Sequence, residues 1–119
     1  MWLASKMANK QGTSFPVESG SVKSATSSSV EVEASRPLRN IPVAVPFGIV
    51  YIPPVGAQAV VASLPSQEVC LGVINENNAP LKVGEIKIYS SGNSSITLTN
   101  DGKILIEGSV YINGREATL

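Results

Sequence analysis

The 119-residue chain carries nine basic and nine acidic residues and no histidine. General charge therefore draws it toward neither nucleic acid nor an anionic membrane, and the commonest general base of enzymes is missing. Its length leaves room for one compact domain and a short extension, while 43% apolar residues, weighted to Val and Ile, exclude a disordered chain and favour strands.

The opening Met1–Lys6 holds no sustained apolar stretch, and no segment approaches the ~20 apolar residues of a membrane helix. The expectation is a soluble product made in the cytoplasm. Residues 1–14 lack periodicity, and Trp2–Lys10 is either a helical turn or two or a mobile lead. The Ser, Gly, Thr and Val of Ser19–Ser29 predict a strand, a turn and the start of a second strand. Val30-Glu31-Val32-Glu33-Ala34 then alternates with the period of a half-buried strand.

Pro37, Pro42, Pro46, Pro53 and Pro54 exclude a long helix between residues 36 and 55. Ile41, Val43, Val45 and Phe47 alternate among them, and Gly48–Ile52 is expected to be extended. Residues 55–62 and 68–74 predict two more strands joined by Ser63–Ser66, followed by a polar turn over Asn75–Pro80. Residues 15–82 thus carry about five short strands and no helix, the content of a small closed barrel. Cys70, the single cysteine, lies in the apolar run Val69–Ile74. It is expected as a small buried hydrophobe with no disulfide partner in the chain.

From residue 83 the pattern changes. Ile86, Ile88, Ile96, Leu98, Ile104, Ile106, Val110 and Ile112 place aliphatics in pairs spaced by two. Turn signals at Ser91-Gly92-Asn93, Asn100-Asp101-Gly102, Gly108 and Asn113-Gly114 separate them. The opposite face holds Glu85, Lys87, Thr97, Thr99, Lys103, Glu107 and Ser109. Such a ladder of short strands, each with one dry face, is marginal alone, and its edges are open to other chains. Inward burial of these aliphatics falls short of the entropy lost in ordering the segment, so identical chains wound about an axis are the expected source of the missing contacts. Gly92, Gly102, Gly108 and Gly114 are the residues expected to let the strands turn tightly.

No catalytic, cofactor or metal site is expected. Glu31 and Glu33 alternate on one strand as solvated edge charges, Asp101 sits in a turn sequence, and Ser27-Ser28-Ser29 has no partnering base. A single-strand nucleic-acid groove wants cations interleaved with aromatics. Here Arg36 and Arg39 are the closest basic pair, and Phe15, Phe47 and Tyr51 are the barrel's aromatics. Phe47 and Tyr51 are expected as core or subunit contacts. Tyr89 and Tyr111 leave open a carbohydrate-binding or adhesion module, although outward packing across neighbouring strands is the simpler role.

The run Leu81-Lys82-Val83-Gly84-Glu85-Ile86-Lys87-Ile88-Tyr89-Ser90 precedes Ser95-Ile96-Thr97-Leu98, Asp101-Gly102-Lys103-Ile104 and Val110-Tyr111-Ile112-Asn113-Gly114. This order resembles the barrel-to-stem junction of phage baseplate central-spike and assembly proteins, whose pattern runs LKPGE, aliphatic, any residue, aliphatic, Tyr, a turn, a short aliphatic strand, DG, another strand and ING. Upstream, Pro46-Phe47-Gly48, Pro53-Pro54-Val55-Gly56 and Leu71-Gly72-Val73 are similar to the family's PYGF, P-x-G and VLGV barrel signature. The resemblance covers residues 19–116.

It implies an all-β chain: an oligonucleotide/oligosaccharide-binding (OB)-type barrel over residues 15–82 and an intertwined triple-stranded β-helix over 83–119, assembled as a homotrimer. Such proteins sit at the centre of the baseplate of Mu-like contractile tails, tail-derived bacteriocins and secretion devices, where sheath contraction drives the spike through the target envelope. By that likeness the chain is made in the cytoplasm of a producing bacterium and built into a particle's baseplate. It contacts the target-cell envelope transiently and no nucleic acid. Residues 1–14 then dock onto a baseplate hub protein, and Arg115, Glu116 and Leu119 form a blunt tip for a conical PAAR-type subunit. Several family members bind iron through a terminal His-x-His motif, which a chain without histidine lacks, and nothing here is long enough for the lysozyme domain of larger spikes.

Overall fold

A computed structural model describes residues 17–75 and 80–118. The expected helical turn over Trp2–Lys10, the docking segment 1–14, Phe15, most of the polar turn after Asn75, and Leu119 lie outside the described residues. The described chain is all-β without helices, and it divides into two compact units, residues 1–76 and 77–119.

The first unit is a curled antiparallel half-barrel of five strands: β1 (Val17–Ala25), β2 (Val30–Glu33), β3 (Pro37–Ile41), β4 (Gln58–Ser63) and β5 (Glu68–Val73). They run in the order β3-β2-β1-β4-β5. Three bulges curl the sheet, one each in the β1–β2, β2–β3 and β4–β5 ladders, because an extra residue bends a strand and increases its twist. In the β2–β3 ladder Asn40 takes φ 55°, and the pairing steps from Val32↔Leu38 to Val30↔Ile41. Leu38 and Ile41 consequently both face inward although they lie three residues apart. The sheet's two edges then meet: Val43 bridges Cys70 in parallel, with Ala44 N–H donating to the Cys70 carbonyl at 2.8 Å and Cys70 N–H to the Pro42 carbonyl at 2.9 Å.

Alternation fills the interior with Val22, Val30, Val32, Ala59, Val61 and Cys70, together with Leu38 and Ile41, all buried. Cys70 is the small hydrophobe its surroundings predicted, and burial pushes its thiol pKa up. Gly20 is the close-approach point. A Cβ there would stand 2.5 Å from the Glu33 carbonyl oxygen and 2.8 Å from Val32 Cγ1.

Residues 42–57 correct the sequence reading. The segment 49–52 joins no strand and β4 begins only at Gln58, since the prolines at 42, 46, 53 and 54 supply no N–H for a ladder. Phe47 is not a core residue. It is fully exposed at 106%, thrust out by a tight turn in which Ile49 N–H donates to the Pro46 carbonyl at 3.1 Å and Gly48 has φ 90°. Tyr51 stays half-buried, its hydroxyl 3.8 Å from where a Cβ on Gly72 would lie.

The second unit contains the antiparallel meander β6 (Ile86–Tyr89), β7 (Ser95–Leu98) and β8 (Ile104–Glu107), and the short hairpin β9 (Tyr111–Ile112) and β10 (Arg115–Glu116). The hairpin pairs Arg115 with Ile112 and Glu116 with Tyr111, and Ala117 N–H donates to the Val110 carbonyl at 2.7 Å. Arg115 and Glu116 are therefore paired strand residues.

Candidate functional site

The register of the meander sorts its side chains into two faces. Ile86, Leu98 and Ile104 stand opposite one another across the three strands, and so do Ile88, Ile96 and Ile106. Because strand side chains alternate, these two rows share a face. All six are 42–66% exposed, an aliphatic surface that nothing in the described chain covers. The other face carries the rows Lys87–Thr97–Leu105 and Tyr89–Ser95–Glu107. Leu105, 43% exposed, is an apolar residue on that face which the pairwise spacing missed, since two aliphatics in register already filled their strand.

The eight aliphatics named from the sequence thus divide. Six form the two rows. Val110 lines a groove of about 320 Å³ together with Ile88, Ile96 and Ile106, and Ile112 is exposed on β9. Tyr89 lines this groove but Tyr111 does not, so the two tyrosines are not gathered into one ligand site.

Of the four turn glycines, Gly102, Gly108 and Gly114 have positive φ. Gly108 is also crowded, with the position of a Cβ 3.1 Å from Ser94 Cβ. Gly92 does not supply the left-handed residue of its turn. Asn93 does, at φ 67°, as the short polar side chain of asparagine tolerates.

The entry to β6 is fastened by Glu85. Its carboxylate accepts the Asn100 N–H at 3.0 Å and the Lys82 N–H at 3.1 Å, while the Asn100 side-chain amide donates to the Val83 carbonyl at 2.9 Å. Those backbone donors, Asn100 first and Lys82 second, hold the Glu85 pKa below the ordinary carboxylate value. Asp101 accepts from the Thr99 hydroxyl and pairs with Lys103 at 3.2 Å. Both contacts lower its pKa, and its position is the turn role read from the sequence. The clamp joins residues 15 apart, beyond any local motif, so only the meander's register could have announced it.

On the half-barrel, Arg36 pairs with Glu68 at 2.7 Å and Arg39 with Glu31 at 3.6 Å. Each half of the closest basic pair therefore has its own carboxylate, and Glu31 is tied across the ladder while Glu33 is exposed. The described residues contain no group of three His, Cys, Asp or Glu side chains arranged to hold a metal. The chain matches none of the family models, curated proteins or solved structures with which it was compared.

Proposed function

We propose that this chain is a structural, non-catalytic protein that trimerises into the central spike of a contractile phage tail or phage-tail-like particle. The observation that carries the reading is the pair of aliphatic rows, Ile86–Leu98–Ile104 and Ile88–Ile96–Ile106, left uncovered on a three-stranded sheet. A single-layer sheet with one dry face and two free edges does not persist alone. Winding three copies about one axis would cover the rows and give each edge a partner, forming a triple-stranded β-helical stem with no hinge in it.

The first unit supports the same reading. Its pairing, β1 with β2 and β4 and Val43, just beyond β3, alongside β5 in parallel, fits a five-stranded OB-type barrel, and the sequence resemblance runs through both units. In such a particle the N-terminal segment meets the baseplate hub. The hairpin β9–β10, with Arg115 and Glu116, lies toward the end that receives a PAAR-type tip, and the assembled spike crosses the target envelope.

Immunogold labelling of particles from the producing cell, with antibody raised to residues 83–118, tests this. Gold centred on the baseplate is the expected result. Labelling that never coincides with a tail-like particle would overturn the assignment.

A further inference from the structure

The half-barrel bears a second uncovered apolar surface, distinct from the stem rows. From Pro42 to Ala57 the chain contains no charged side chain and a single polar one, Tyr51. Phe47, Ile49, Val50, Ile52 and Val55 are each more than half exposed there. The loop is nonetheless firmly built. Its start is bonded to β5 through Ala44, and its end to β1 through Gly56 N–H to the Val22 carbonyl at 2.8 Å and Val22 N–H to the Ala57 carbonyl at 2.9 Å. Pro53 is fully buried and three other prolines stiffen it. A rigid, uncharged, aromatic-tipped projection is what the dehydrated centre of a protein interface is made from.

We propose that this loop, residues 45–55, packs against the half-barrel of a neighbouring copy of the same chain, forming a collar separate from the stem interface. The inference rests on the trimeric reading above. Residues 74–85 join β5 to β6, and a chain of that length reaches at most about 40 Å. Once three stems are wound together, each loop meets its neighbours' barrels at an effective concentration on the order of millimolar. Even a modest apolar contact is populated at that concentration, with no further partner needed. A lipid surface is the poorer fit, because loops that enter membranes lean on flanking Lys or Arg at the headgroups and residues 42–57 supply none.

The test places an emitter at the tip of the loop. In the full chain with Trp2→Phe, Phe47→Trp provides the one indole, read by emission maximum and acrylamide quenching beside the mass of the same sample. The expected result is a trimer with blue-shifted emission and several-fold weaker quenching than in the same chain carrying Ile106→Thr, where the stem rows are broken. A trimer whose indole quenches as freely as in that variant would overturn the collar while leaving the spike reading intact. Equal protection in both forms would mean that the loop folds onto its own barrel, and also overturns it. A shift that appears only with neutral phosphatidylcholine vesicles would assign the loop to lipid instead. A monomeric parent chain would sink the collar and the spike together.

Discussion

Ile106→Thr separates a covered aliphatic row from an open one. Thr keeps the branched β-carbon, so strand preference is nearly unchanged. In the single chain Ile106 is 55% exposed, and there the exchange falls within ~0.5 kcal/mol of neutral. Packed against two further copies, the same exchange removes about two carbons at ~0.8 kcal/mol each and buries a hydroxyl with no partner, together about 3 kcal/mol per chain. Threefold symmetry repeats the loss three times, about 9 kcal/mol per assembly, which lowers the trimer's formation constant by roughly 10⁶-fold. Sedimentation equilibrium over a dilution series reads this directly, and circular dichroism checks that the half-barrel remains folded. A variant with the parent's mass at every concentration and the parent's unfolding midpoint would refute the covered-face argument.

Further expectations follow from single contacts. Glu85 has a folded pKa below its ordinary 4.5, so the clamp's stabilisation is in full force above that value and is lost as pH falls through the depressed one. Acid unfolding monitored by hydrogen exchange at the Asn100 amide should therefore steepen below about pH 4.5, and Glu85→Gln with Asp101→Asn should flatten it. Gly20→Ala forces a methyl into the Glu33 carbonyl and should cost about 2–3 kcal/mol, seen as a lower guanidinium midpoint. An unchanged midpoint would mean that β1 and β2 part freely there. The Cys70 thiol, buried and raised in pKa, should resist alkylation at pH 8 in the native protein and react at once in denaturant.

Much of the fold was legible because strand alternation is a local signal. Val30 and Val32 face inward as read, the number of strands in the first unit is about that read although β3 (Pro37–Ile41) lies before the alternation placed at Ile41–Phe47, and the paired aliphatics of the second form rows in register. The misses occur where the period of two breaks or where burial is decided at a distance. Asn40 turns Leu38 and Ile41 to one side through a bulge, an event without a sequence period. Of the two roles open to Phe47, core or subunit contact, the Pro46–Ile49 turn removes the first by thrusting the ring outward. Gly20 is constrained by the strand beside it, and the Glu85 clamp by the meander's register. The stem face itself was read from spacing alone, whereas that it lies bare in the single chain is visible only in three dimensions.

The most direct test of the trimeric spike is the solution mass of the purified full chain by light scattering. The chain weighs 12.4 kDa, so three copies give roughly 37 kDa, and that mass is expected to survive dilution. A monomer with an intact half-barrel would contradict the wound stem and leave the aliphatic rows of β6, β7 and β8 without the partner argued for them.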